Sequence, residues 1–152
     1  MNIDFSEADR QIYDRELRGF LPAKIFDAHV HLFDRTCLMP EVQFPPKHCY
    51  QKVGGVFSLE QYLAWTAVIL PEQKLHLNSF GHPAYESDLE ASADFAGRIS
   101  DNRRIFGMAM VSPRDTAEAA LLRVERNRLI GYKPYLTFVE GKEAQSITLH
   151  DM

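Results

Sequence analysis

Residues 24–33 read KIFDAHVHLF, a run in which apolar and polar side chains alternate. Alternation with a period of two predicts a β-strand with one apolar face and one polar face. The apolar face is expected to carry Phe26, Ala28, Val30 and Leu32. The polar face is expected to carry Asp27, His29 and His31. Such a strand is hard to explain as ordinary core, because polar groups rarely face a packed interior.

The spacing of the two histidines predicts a metal site. Residues two apart on a strand share a face and lie roughly 6.6 Å apart, at about 3.3 Å per residue. His29 and His31 can therefore lean onto one cation, at metal–nitrogen distances near ~2.1 Å. Neutral imidazole is the commonest metal ligand among side chains. This spacing also arises by chance in a chain with six histidines, so the surrounding pattern is what favours a metal.

Composition narrows the class of protein. The chain has 152 residues, of which 45% are hydrophobic and 25% charged, with a net charge of −4. These values predict one α/β globular domain over residues 1–152 and no electrostatic surface for nucleic acid. No apolar stretch is long enough for a membrane span, and the N-terminus lacks an apolar export signal. We therefore expect a cytoplasmic protein in which Cys37 and Cys49 are free thiols.

The order of elements indicates a parallel sheet. Strands are predicted over residues 24–33, 74–80, 104–111 and 129–139. Helices are predicted to begin at Ser6, Ser58, Ser87 and Asp115, each followed three residues later by Asp, Glu or Gln. Residues 34–57 contain three prolines and two glycines and are expected to form a long loop or lid. Strands that alternate with capped helices are typical of βαβ units.

The polar strand faces favour a barrel over an open sheet. Lys133, Tyr135 and Thr137 are expected to share one face of the fourth strand. A doubly covered open sheet needs two apolar faces, whereas a barrel can open into a site at the carboxyl ends of its strands. A complete eightfold barrel takes about 250 residues. The sequence therefore predicts a partial TIM-type barrel holding the first four βα units of eight.

Residues 26–33, FDAHVHLF, resemble the first-strand signature of the amidohydrolase superfamily. The N-terminal helix, the long first loop and residues 131–135, GYKPY, resemble its amidohydrolase-related branch, which includes relatives of aminocarboxymuconate-semialdehyde decarboxylase. The resemblance implies a TIM barrel in which His29 and His31 bind a divalent metal, most often Zn²⁺. It also implies that Lys133, once carboxylated, could bridge two metals. The family's remaining ligands follow strands five, six and eight, which lie beyond this chain.

Loops after the later strands supply further candidates. His82 follows the second strand and could hydrogen-bond a substrate or move a proton. Arg114 follows the third strand and could bind a substrate carboxylate with two parallel hydrogen bonds. The preferred interpretation of His82 is a histidine that fixes its turn, and Arg114 could equally be a surface arginine near a helix N-terminus. Cys37, His48 and Cys49 suggest a zinc cluster, but their spacing is not that of a zinc finger, so a substrate lid is the preferred interpretation.

Together these patterns predict a metal-dependent hydrolase acting on a small-molecule amide, ester or lactone, with an incomplete site. Two alternatives stay open: a decarboxylase on the same fold, and a non-catalytic half-barrel that self-associates. The expected partner is a second copy of the chain or the missing C-terminal half of the barrel. Neither nucleic acid nor a membrane is expected as a partner.

Overall fold

A computed structural model describes residues 3–43, 46–47, 49–52, 55–84 and 87–151. Helices and strands alternate along most of the chain, as the capping pattern predicts. The helices are α1 (Glu7–Ile12), α2 (Cys49–Lys52), α3 (Leu59–Ile69), α4 (Leu89–Ile99) and α5 (Ala117–Asn127). The strands are β1 (Lys24–His31), β2 (Lys74–Phe80), β3 (Ile105–Gly107), β4 (Ala109–Val111) and β5 (Tyr132–Pro134). The chain is therefore a mixed α/β protein.

All strand pairings are parallel and follow chain order. β1 pairs with β2 and β2 with β3, while β4 pairs with β5. β3 and β4 are two parts of the single strand predicted over residues 104–111, interrupted at Met108. The Met108 N–H donates to the Ser79 carbonyl at 2.9 Å, and the Ala109 N–H donates to the Gly131 carbonyl at 3.0 Å. One extended segment thus bonds to β2 on one side and to β5 on the other, and no closed barrel forms among the described strands.

A β-bulge in β1 changes which residues share a face. Asp27 pairs with Leu77 and Val30 pairs with Ser79, so two residues of β1 oppose one residue of β2. The prediction that Asp27 shares a face with the histidines is therefore wrong. Its carboxylate accepts a hydrogen bond at 2.8 Å from the hydroxyl of Tyr62, which is buried on α3. Phe26, predicted to share the apolar face with Val30, lies on the opposite face for the same reason and is 53% exposed.

The sheet has one covered face and one open face. The covered face packs against α3 and α4 in the main apolar core, formed by Val30, Leu32, Phe33, Cys37, Leu38, Tyr62, Leu75, Leu77 and Phe95. The opposite face, here called the open face, carries Phe26, His31, His76, Asn78, Phe80 and Phe106. None of the described helices is long and apolar enough to cross a bilayer.

Two helix starts match the predicted caps and two are displaced by one residue. Ser6 and Ser58 each form the expected reciprocal capping box. Helix α4, predicted to begin at Ser87, is capped by Asp88, because the Ser87 hydroxyl donates instead to the His82 carbonyl at 2.6 Å. Helix α5, predicted to begin at Asp115, is capped by Thr116. The predicted cap, Asp115, instead accepts from the Ser112 N–H at 2.8 Å and pairs with Arg123.

The predicted fourth strand is shorter than the sequence indicates, and the long loop is more structured. Only residues 132–134 of the predicted 129–139 form a strand, since Pro134 has no N–H to extend the ladder. A 3₁₀ turn, Leu136–Phe138, follows. The loop is closed at its base by an antiparallel bridge between Phe33 and Phe57. Inside it lie a 3₁₀ turn, Arg35–Cys37, and the short helix α2.

The first prediction concerns the ion pairs that join α4 to α5. The Arg123 guanidinium is 4% exposed and donates to Glu90 and Asp115 at 2.7 Å each, and to the Met110 carbonyl at 3.0 Å. Arg123→Met should lower the free energy of unfolding by about 3 kcal/mol, because Asp115 and that carbonyl lose their partner. Arg126→Met is the matched control: Arg126 also pairs with Glu90 but is 51% exposed, so its loss should stay under about 1 kcal/mol. Equal losses in urea unfolding would contradict the assignment.

The second prediction concerns pH and the turn before β3. Asp101 accepts hydrogen bonds from the N–H groups of Arg103, Arg104 and Ile105. These bonds lower the pKa of Asp101 from 3.8 to about 2. The stabilisation is therefore present above pH 3.8 and is lost as the pH falls towards 2.

Asp101→Ala should destabilise the protein at pH 7, and the difference from wild type should shrink between pH 4 and pH 2. Urea unfolding across this range measures the effect. Asp4→Ala, which removes an exposed carboxylate outside this turn, is the control. A difference between Asp101→Ala and wild type that does not change with pH would refute the explanation.

Candidate metal centre

A bulge in β1 lies beside the two histidines. The Asp27 carboxylate accepts from the His29 backbone N–H at 3.2 Å and from the Tyr62 hydroxyl at 2.8 Å. One side chain of the covered face thus ties the bulged backbone to α3. His29 is one of the two residues of the bulge, a place where a strand can re-aim a side chain.

The ring nitrogens of the two histidines point at one spot. His29 Nε2 lies 3.2 Å from His31 Nε2. The Tyr135 hydroxyl oxygen lies 3.3 Å from His29 Nε2 and 3.1 Å from His31 Nε2. Both imidazoles pack edge-on against Phe80, with ring centroids 4.9 Å apart in each case. Three donor atoms therefore converge above an aromatic floor at the carboxyl end of β1.

A backbone carbonyl sets the orientation of His31. His31 Nδ1 lies 2.7 Å from the Gly81 carbonyl oxygen, so the proton of the neutral ring belongs on Nδ1 and Nε2 keeps its lone pair. Gly81 fits there because it has no side chain. A Cβ at this position would lie 2.8 Å from Met110 Cε and 2.9 Å from Ser92 Cβ. This is the carbonyl–histidine contact that usually orients a metal-binding imidazole.

The surroundings keep His31 neutral. Burial lowers the pKa of the His31 imidazole below its ordinary value of 6.5, and the nearby charges of His29 and Lys133 lower this pKa further. The hydrogen bond to Gly81 acts in the opposite direction and only partly offsets these effects. A neutral imidazole with a directed lone pair is the form that binds a metal ion.

The donor geometry fits a metal ion but supplies few ligands. Two nitrogens 3.2 Å apart, each about 2.1 Å from a shared ion, subtend an angle of about 100° there. That angle is close to the tetrahedral value found in zinc sites. Across the part of the chain that the structure describes, no group of three or more His, Cys, Asp or Glu side chains could hold an ion. Within the described residues, the site therefore offers His29 and His31 as its ligands of these four residue types.

Lys133 lies beside this pair. Its ammonium nitrogen is 5.2 Å from the centroid of Phe80 and 5.3 Å from the centroid of Tyr135. Both rings also contact His31. The prediction that Lys133 reaches a bound metal stays a prediction, since its contacts here are with the aromatic rings around the site.

His82 and Arg114, the two candidate substrate-binding residues, lie in different surroundings. His82 is 7% exposed and stacks on Phe33, with ring centroids 5.2 Å apart. Arg114 is exposed in the turn before α5, where its backbone N–H donates to the Ser112 hydroxyl at 3.3 Å. Their proposed roles in substrate binding stay predictions.

The alternative zinc cluster in the first loop gains no support. Burial raises the pKa of the Cys37 thiol to about 11, so this sulfur stays protonated at neutral pH and is a poor metal ligand. Cys49 is exposed, and both cysteines are free thiols, as predicted. His48, the third member of the suggested cluster, lies outside the described residues.

Tyr135 is the member of the site that sequence analysis left without a role. Its position on the same face as Lys133 was the available signal, since residues 133 and 135 are two apart on an extended segment. Its hydroxyl reaches the histidines because β5 ends at Pro134 and the chain then turns over the end of β2, where Phe138 packs against Phe80. That turn was predicted as continued strand.

Comparison with known proteins identifies no relative. No family model, curated protein or solved structure matches this chain. The resemblance of residues 26–33 to the amidohydrolase signature therefore stays a prediction.

Proposed function

We propose that this chain carries the metal-binding part of a metal-dependent hydrolase of the amidohydrolase type. In this proposal β1 to β5 are the first four βα units of a partial TIM-type barrel. Its parallel strands in chain order and the histidine pair at the carboxyl end of β1 support that assignment. The two free cysteines favour a cytoplasmic location.

One observation carries the proposal: two histidine Nε2 atoms lie 3.2 Å apart, and His31 is oriented through its other nitrogen. The Gly81 carbonyl takes the Nδ1 proton of the neutral His31 ring, so His31 Nε2 directs a lone pair towards His29. A cation shared by two convergent imidazoles accounts for this arrangement, because it needs oriented nitrogen lone pairs.

The chemistry follows from the ion class that imidazole pairs favour. A divalent ion such as Zn²⁺ would polarise a scissile carbonyl and activate water when bound. The residues of this chain would hold the ion and shape one wall of the site, with Phe80 excluding water beneath the rings. The nearest carboxylate of β1, Asp27, is turned to the covered face. A general base would therefore come from elsewhere, so metal binding tests the proposal more directly than turnover.

A second proposal, self-association, is favoured by the edges of the sheet. The two edge strands, β1 and β5, expose aromatic side chains, Phe26 at 53% and Tyr132 at 40%. Open parallel edges invite pairing with strands of another chain. We propose a second copy of this chain as the occupant.

The third prediction tests metal binding. Wild-type protein should bind Zn²⁺ in competition with a chromophoric chelator, and His29→Ala should weaken that binding at least about tenfold. His29 is exposed, so its replacement should leave the fold intact. At a free Zn²⁺ concentration about 100 times the Kd, the free energy of unfolding of the wild type should rise by about 2.7 kcal/mol.

His150→Ala is the matched control, because it removes one exposed histidine far along the sequence from β1. It should bind Zn²⁺ as the wild type does. If His29→Ala and His150→Ala retain equal affinity, the ion is bound elsewhere and the assignment to the histidine pair fails.

The fourth prediction tests self-association. Sedimentation velocity should show the purified chain as a dimer or larger species, and Phe26→Glu should shift it towards monomer by placing a charge on the exposed edge strand. Phe20→Glu is the control, since Phe20 is 80% exposed but precedes β1. A compact wild-type monomer with a cooperative thermal transition would rule out the second copy.

A further inference from the structure

We propose that the phenol oxygen of Tyr135 is a third metal ligand, so that His29, His31 and Tyr135 form a three-donor site with an open fourth position. This inference rests on the proposed metal binding and adds a ligand to it. It changes the chemistry of the site, because three protein donors plus one exchangeable position describe catalytic zinc sites, whereas two donors do not.

The distances among the three donors support a tripod. They are 3.2 Å between the two Nε2 atoms, and 3.3 and 3.1 Å from the Tyr135 oxygen to His29 and His31. Donors bound at about 2.1 Å to a tetrahedral ion lie roughly 3.4 Å apart. The triangle is therefore within a few tenths of an ångström of the spacing that a tetrahedral ion requires, on all three sides.

Hydrogen bonding explains this triangle less well. The neutral His31 ring gives its proton to the Gly81 carbonyl, so its Nε2 brings none. Only the phenol hydrogen and one on His29 Nε2 are left for three close contacts. Two hydrogens cannot each fill one of three contacts, so either one hydrogen is shared between two contacts or one contact lacks a hydrogen. A single cation would satisfy the three lone pairs together.

Tyr135 is also held firmly in place, as a ligand should be. Its ring packs against His31 at 5.7 Å, Phe80 at 6.1 Å and Phe138 at 6.4 Å between centroids. The turn that follows is pinned where the Thr137 hydroxyl donates to the Pro83 carbonyl at 2.8 Å. The phenol oxygen is thus oriented towards the histidines before any ion arrives.

The charge balance of the site favours a phenolate ligand. On binding, the O–H bond of Tyr135 breaks, an oxygen–metal bond forms and the proton leaves to solvent. Two neutral imidazoles would leave a divalent ion with its full charge close to the Lys133 ammonium, which lies 5.3 Å from the Tyr135 ring centroid. A phenolate removes one unit of that charge and so reduces the repulsion between the ion and Lys133.

Copper provides a readout that is independent of activity. Cu²⁺ bound to a phenolate gives a visible charge-transfer band, which imidazole ligands do not produce. Wild-type protein titrated with Cu²⁺ should develop this band, and Tyr135→Phe should lack it. Tyr132→Phe, which alters an exposed tyrosine of the neighbouring strand β5, should keep it. In parallel, Tyr135→Phe should bind Zn²⁺ at least about tenfold more weakly than wild type in chelator competition.

A donor-replacing variant protects the test against misfolding. Tyr135→His should lose the band yet keep Zn²⁺ affinity within a few-fold of wild type, because imidazole can replace the phenolate. If Tyr135→Phe binds Zn²⁺ as wild type does while His29→Ala does not, Tyr135 is not a ligand and the histidine pair stands alone. If the wild type binds neither Zn²⁺ nor Cu²⁺, both proposals fail.

Discussion

The hydrogen bonds of the Asp27 carboxylate are the constraint on which the candidate site depends. Asp27 accepts from the His29 backbone N–H and from the Tyr62 hydroxyl, and so fixes the bulge of β1 to α3. Residues 29 and 31 are two apart on the strand, a spacing that lets their rings lean together, and their Nε2 atoms lie 3.2 Å apart. The partly buried Asp27 thus anchors from the covered face the strand that presents both histidines.

The same arrangement explains why the imidazoles are suited to a cation. The aromatic floor of Phe80 removes water from beneath both rings, and burial is the largest cause of the lowered pKa of His31. Lys133 adds positive charge nearby, which further disfavours protonation of that ring. Protonated histidines would repel an ion, so neutrality and convergence are both required. Side chains from β1, β2 and the segment around β5 bring the rings together, and the lowered pKa of His31 favours its neutral form.

Much of the fold was predictable from the sequence, because local signals decided it. The capping boxes at Ser6 and Ser58 and the strand over residues 74–80 follow from short-range patterns, and the structure confirms them. The errors share a cause. Asp27, Ser87 and Asp115 were assigned by local pattern, but each satisfies a distant or competing hydrogen bond, to Tyr62, His82 and Arg123. Tyr135 was missed because its role depends on a turn that only tertiary packing produces.

Two carboxylates near the candidate site are already engaged in the fold. Asp27 accepts from the backbone of the β1 bulge, and Asp115 pairs with the buried Arg123. Moving either to the site would cost the contact that stabilises its loop or strand. The open face, by contrast, offers imidazole, phenol and aromatic rings, which are ligands and walls, not proton acceptors of the carboxylate type. In the proposed hydrolase, Asp27 and Asp115 would therefore serve the fold, and another group would act as the general base.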